Sequence, residues 1–131
     1  MTKILLVDDE PLLRRAFRTL LEATGHDVCE AGSAGEALAC ARNEQPSLIV
    51  LDLGLPDRPG LDVARELTRS QDRTIPILAM TGMSGGDIAA ECAEAGCVDY
   101  LIKPVEPREL VRRIGALLGQ PPTAAPAENR A

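Results

Sequence analysis

Four apolar runs in this chain end in side chains that can do chemistry. Asp8 and Asp9 follow Ile4-Leu5-Leu6-Val7, and Asp52 follows Leu48-Ile49-Val50-Leu51. Thr81 follows Ile77-Leu78-Ala79-Met80, and Lys103 follows Tyr100-Leu101-Ile102. Three carboxylates brought together repel one another, and at least one is pushed toward its neutral form unless a cation intervenes. The candidate ligands are all oxygens, so the cation is hard. Mg²⁺ suits one or two carboxylates and keeps waters that a phosphate oxygen can replace. Lys103 adds a fixed positive charge and Thr81 a hydroxyl donor for an incoming anion. A metal, a lysine and a hydroxyl around a carboxylate make a site for phosphoryl transfer to that carboxylate. An aspartyl phosphate is the product.

These groups meet only if the runs are strands of one parallel sheet. Leu48 to Leu51 is a continuous apolar run between Ser47 and Asp52, which predicts a central strand buried on both faces. Its carboxyl end opens on the edge where doubly wound folds bind ligands. Gly54, Pro56, Pro59 and Gly60 turn the chain at once and leave Asp52 at the mouth of a crevice. Between the strands the spacing predicts helices. Pro11 opens the first, with Leu13, Phe17, Leu20 and Leu21 recurring at helical spacing and Gly25 as its stop. A short strand follows over Asp27 to Glu30. Ser33 and Glu36 form a capping-box pattern ahead of a helix with Ala34, Ala37, Leu38 and Ala41 on one face. Leu61, Ala64, Leu67 and Thr68 mark a third helix. A fourth starts at Ser84 or Asp87, carries Ile88, Cys92 and Ala95, and closes at Gly96. Val98 to Ile102 is the fifth strand. Pro107 opens the last helix, with Leu110, Ile114, Leu117 and Leu118 inward and Gly119 at its end.

The fold class is therefore α/β, a (βα)5 chain with a doubly wound, five-stranded parallel sheet and right-handed crossovers. Residues 1–119 form one domain, and 120–131 read as a disordered tail rich in Pro and Ala. A length of 131 residues fits one domain. Phe17 and Tyr100 are the only aromatics, which argues against stacking of nucleic-acid bases. A net charge of −6 argues against binding a phosphate backbone. No stretch has the length of a membrane span and no signal peptide opens the chain, so the expected location is the cytoplasm. Cys29, Cys40, Cys92 and Cys97 form no Cys-x-x-Cys pair, and the reading is reduced, buried thiols rather than zinc ligands. His26 follows Gly25 and is expected to be exposed.

Four motifs carry a family resemblance over residues 3–119: Leu6-Val7-Asp8-Asp9-Glu10, Val50-Leu51-Asp52-Leu53-Gly54-Leu55-Pro56, Ala79-Met80-Thr81-Gly82 and Tyr100-Leu101-Ile102-Lys103-Pro104. In this order, at these strand ends, they resemble the receiver domain of two-component response regulators. The resemblance implies the flavodoxin-like strand order 2-1-3-4-5. It implies that Asp52 accepts a phosphoryl group from a sensor histidine kinase or phosphotransfer protein. Asp9, Asp52 and the backbone carbonyl of Gly54 would hold Mg²⁺, with Asp8 acting mostly through a water. Lys103 would pair with the phosphate, Thr81 would swing to bond it, and Tyr100 would move inward. The output surface would be the fourth helix, fifth strand and fifth helix. A cis peptide before Pro104 is also implied. Pro59 stands where the family often has a polar residue. Gly54 and Met83 offer no side-chain acid or amide to guide water to the phosphate.

The expectation is a stand-alone phosphorylation switch that binds other proteins, not nucleic acid or membrane, and that is no enzyme beyond its own phosphorylation and dephosphorylation. It is a monomer or weak homodimer, with Arg112, Arg113, Glu91 and Glu94 offering charges on the output face. A phosphorelay intermediate, or a receiver derived from a hybrid kinase, keeps the same fold. A phospho-aspartate hydrolase of small substrates is disfavoured because Gly54 stands where an Asp-x-Asp pair has its second acid. A flavodoxin-like electron carrier is disfavoured because acids follow the first strand, where a flavin phosphate would sit.

Overall fold

The computed structural model describes residues 2–70, 75–82 and 87–119. Five strands alternate with five helices: β1 Thr2–Val7, α1 Pro11–Ala23, β2 His26–Ala31, α2 Ala34–Glu44, β3 Leu48–Asp52, α3 Gly60–Ser70, β4 Ile77–Thr81, α4 Ile88–Glu94, β5 Asp99–Ile102 and α5 Pro107–Leu117. The strands pair in parallel in the order β2-β1-β3-β4-β5. That is the expected sheet, with the expected central run fully buried.

Period-two alternation divides the strand residues between two aliphatic layers. Leu5, Val7, Ile49, Leu51, Ile77 and Ala79 pack under α2, α3 and α4. Ile4, Leu6, Val28, Leu48, Val50, Leu78 and Met80 pack under α1 and α5. On α2 the inward residues are Ala34, Ala37 and Ala41, and their small side chains let the helix lie close to the sheet. On α3 the buried face is Gly60, Val63, Ala64 and Leu67. Val63 and Gly60 replace the expected Thr68, which is exposed and donates from Oγ1 to the Ala95 carbonyl at 3.4 Å.

Local signals hold at most helix ends. Ser33 Oγ accepts from the Glu36 N–H at 3.2 Å, and Glu36 Oε1 accepts from the Gly32 N–H at 2.6 Å. Pro11 and Pro107 open their helices. Gly25, Gly96 and Gly119, the three expected stops, all have positive φ. Asp87 precedes α4 without a side-chain cap bond. Ser84, Met83 and the tail over 120–131 lie outside the described residues.

His26 corrects an expectation. It is 4% exposed rather than solvated. β2 begins one residue earlier than the sequence suggested, and His26 shares the inward parity of Val28. Among the described residues, no helix is long and apolar enough to cross a membrane.

Candidate functional site

Strand register brings the predicted groups to one edge. Val7 of β1 is level with Leu51 of β3, so Asp8 and Asp52 lie one step beyond on adjacent strands. Asp52 is level with Met80, which places Thr81 one step further. Thr81 is level with Ile102, and Lys103 follows. The Lys103 N–H continues the ladder to the Thr81 carbonyl at 2.7 Å.

One oxygen from each of Asp8, Asp9 and Asp52 lies within 4.8 Å of the others. Asp8 and Asp52 are 0% and 1% exposed, while Asp9 is exposed. Asp52 Oδ1 accepts from Lys103 Nζ at 2.8 Å and from the Gly54 N–H at 3.0 Å. Asp8 Oδ1 accepts from the Glu10 N–H at 2.9 Å. The second oxygens, Asp8 Oδ2 and Asp52 Oδ2, are buried without a hydrogen-bond partner. Burial pushes the Asp8 carboxyl above the usual range, opposed by the Glu10 N–H; Asp52 and Asp9 push it further up, and Lys103 opposes them. Two buried, unpartnered carboxylate oxygens in an all-oxygen cluster fit a hard divalent cation.

Thr81 is 3% exposed. It lines a cleft of about 390 Å³ with Asp52, Gly54, Gly60, Gly82 and Lys103. The cleft depends on close backbone packing, because a Cβ on Gly60 would stand 2.3 Å from Leu53 Cα. The Lys103-Pro104 peptide is cis, as the resemblance implied. Tyr100 is half-buried and lines a different hollow of about 470 Å³, with Ile102, Val105, Glu109 and Arg113. That hollow holds none of the site acids. Ile102, in its lining, is 40% exposed, and Val98, which precedes Asp99 in the chain, is 52% exposed.

The charges expected on the output face are mostly spent within the chain. Arg113 pairs with Asp99 and Glu109, Arg112 with Glu109, and Glu94 with Arg65. Burial pushes the Cys97 thiol up to about 12 and the Cys29 thiol up to about 11, so both stay protonated at neutral pH.

Two contacts, one at the site and one in the loop that follows Asp52, escaped sequence reasoning. Arg14 Nη1 donates to the Asp8 carbonyl at 2.6 Å. Asp57 accepts from the Ala34 and Gly35 N–H groups at 2.8 and 3.1 Å, tying the loop after β3 to the start of α2. Neither contact has a spacing signal: the Arg14 acceptor is a backbone carbonyl six positions back across the turn into α1, and Asp57 reaches a helix that only the fold brings near.

The family model for the response regulator receiver domain matches residues 4–115. Over 116 residues the chain is 40% identical to a probable transcriptional regulator, ycf27, of Porphyridium aerugineum, covering 88% of this chain and 48% of that protein. Over 125 residues it is 40% identical to the alkaline phosphatase synthesis transcriptional regulatory protein PhoP of Bacillus subtilis, covering 95% and 52%. The chain thus spans about half the length of the curated relatives it matches. Among solved structures it is similar to a CheY-like receiver domain protein of Methanospirillum hungatei, with TM-score 0.85, 30% identity and coverage of 91% and 94%. A two-component response regulator of Clostridium difficile superposes with TM-score 0.86 at 27% identity, covering 91% and 97%. With its acids, threonine and lysine gathered at the sheet edge where the sequence motifs put them, this chain belongs to the response regulator receiver domain family.

Proposed function

We propose that Asp52 accepts a phosphoryl group from a phosphohistidine, and that the modified domain changes its protein contacts. The observation that carries this is the buried Asp52 carboxylate, bonded on one oxygen by Lys103 and unpartnered on the other, inside a three-carboxylate cluster. In the transfer, an Asp52 oxygen bonds to phosphorus as the P–N bond breaks, and the electron pair leaves on the imidazole nitrogen. Lys103 holds a positive charge beside the acceptor and stabilises phosphoryl oxygens as charge shifts onto them. Asp8, Asp9, Asp52 and the Gly54 carbonyl would hold Mg²⁺, which when bound neutralises carboxylate and phosphoryl charge. Thr81, in the cleft beside the acceptor, would bond the phosphoryl group, and Tyr100 would then turn inward. The output surface in this proposal is α4, β5 and α5, where Ile102 is exposed in the lining of the hollow and Val98 is exposed just ahead of β5. The domain spans 1–119 and works in the cytoplasm, partnered by a sensor kinase or phosphotransfer protein.

Two targets for that surface are proposed. In the stand-alone reading the target is a separate protein. The length of the relatives, transcriptional regulators of which this chain spans about half, favours a target within a longer regulator.

Acetyl phosphate and Mg²⁺, followed by intact mass measurement, test the acceptor. The expected result is a gain of one phosphoryl unit, lost in Asp52→Asn and in the absence of Mg²⁺. Stoichiometric uptake by Asp52→Asn would overturn the assignment.

A further inference from the structure

Asp8 is fixed at three atoms. Its N–H donates to the Ala31 carbonyl at 3.0 Å, its Oδ1 accepts from the Glu10 N–H at 2.9 Å, and its carbonyl accepts from Arg14 Nη1 at 2.6 Å. Oδ2 is left over, buried and without a partner. The first two bonds belong to the sheet and to the turn into α1. The third is supplied by a side chain from another element, and it is charge-assisted.

Arg14 is held in turn. Its Nε donates to Glu30 Oε1 at 2.7 Å, and its side chain is 20% exposed. Glu30 Oε2 takes Arg18 Nη1 at 2.7 Å, and Arg18 Nε donates to Glu22 Oε2 at 3.0 Å. An alternating chain of charges therefore runs from the surface of α1 to the backbone of Asp8. The Arg14 charge is balanced by Glu30 on β2, so its inward nitrogen serves the Asp8 carbonyl without pairing with the site carboxylates. Bridging both partners needs the rigid fork of a guanidinium, which a lysine lacks. Gly32 makes room for it, because a Cβ there would stand 3.0 Å from Arg14 Nη1.

We infer that Arg14 is a positioning residue for the divalent-cation site: its bond to the Asp8 carbonyl sets the Asp8-Asp9 turn so that both carboxylates reach the cluster with Asp52. This rests on the Mg²⁺ reading above. Groups that orient metal ligands typically change metal affinity by about 10- to 100-fold when removed. A merely structural role would lower stability and leave the affinity of the folded protein unchanged.

The test is calorimetric titration of Mg²⁺ into the full chain, wild type against Arg14→Gln, Arg14→Lys and Gly32→Ala. Phosphorylation rate with acetyl phosphate is followed beside it as a function of Mg²⁺ concentration. Arg14→Gln is expected to weaken Mg²⁺ binding by about 10-fold or more. Its rate curve moves to higher Mg²⁺ and regains the wild-type ceiling. Arg14→Lys falls between the two. Gly32→Ala keeps the arginine but displaces its guanidinium, and it weakens Mg²⁺ in the same direction by a smaller factor. Wild-type affinity in a natively folded Arg14→Gln overturns the inference, as does a lowered ceiling at unchanged affinity. Should Arg14→Gln lose its native circular dichroism, Arg14→Lys, which cannot bridge both partners, decides by the same criterion. A wild type that binds no Mg²⁺ overturns the metal reading itself, and the wild-type titration alone tells that failure apart.

Discussion

Lys103 Nζ and Asp52 Oδ1 lie 2.8 Å apart although they stand 51 positions apart in sequence, and their burial is lopsided. The Asp52 side chain is 1% exposed and that of Lys103 31%. The lysine reaches from solvent onto a carboxylate that has left it. Removing the cation strands a buried charge beside two other acids. Lys103→Met is therefore expected to lower stability by about 1 kcal/mol, discounted for the lysine's exposure, and to slow phosphoryl uptake from acetyl phosphate at least tenfold. Mg²⁺ binding should persist or tighten, because a competing cation is gone. Urea unfolding, intact mass kinetics and Mg²⁺ titration check the three parts. Unchanged uptake would remove Lys103 from the transfer.

Asp8→Asn tests the crowding of carboxylates. The amide keeps an oxygen for the Glu10 N–H, now at 2.9 Å from Asp8 Oδ1, while deleting one charge from a cluster within 4.8 Å. Without Mg²⁺ the variant is expected to melt higher than the wild type by about 3–5 °C, equivalent to about 1 kcal/mol in a domain of this size. Added Mg²⁺ should raise the wild-type melting temperature and move that of the variant much less. A variant that melts lower in metal-free buffer would show that repulsion is not what the native site endures.

Gly60 is required by backbone contact rather than by its own conformation. A methyl there would stand 2.3 Å from Leu53 Cα and 2.9 Å from the Asp52 carbonyl oxygen, so the backbone bearing the acceptor and the start of α3 must move apart. Gly60→Ala is expected to lose about 1–3 kcal/mol and to slow phosphorylation, because Asp52 moves with its neighbour. Gly82→Ala is the control, since a Cβ there meets nothing within 4 Å. Its urea midpoint should stay near wild type, and equal midpoints for the two variants would contradict the packing argument.

What could be read from the sequence was whatever is written in local runs. Val50-Leu51-Asp52 announces a buried strand with an acid at its end, and Lys103-Pro104 marks the close of another. Parallel pairing then forces those ends onto one edge, so the convergence of Asp8, Asp52, Thr81 and Lys103 follows from the strand pattern alone. Arg14 was illegible because its acceptor is a backbone carbonyl six positions away across the turn from β1 into α1. Asp57 was illegible because it caps a helix 22 or 23 residues earlier in the chain. Spacing alone puts Thr68 on the α3 face, whereas the sheet selects Val63, one turn and a residue away. Such contacts depend on how elements approach, which periodicity does not encode.

His26 gives the pH dependence of the fold. The imidazole is 4% exposed, its Nδ1 has no partner, and burial lowers its pKa from 6.5. The folded protein therefore holds it neutral, while the unfolded chain takes up a proton once the pH falls below about 6.5. The unfolded state then binds more protons than the native one, so stability is full above that pH and declines as the pH falls toward the depressed value. Each unit of depression is worth about 1.4 kcal/mol. His26 is the only histidine in the chain, so the decline between pH 7.5 and 5.5 should follow this residue. Urea midpoints across that range are expected to fall for the wild type and to stay level for His26→Leu, which keeps an apolar side chain beside Val28. Parallel slopes for the two proteins would assign the acid sensitivity to the carboxylates instead.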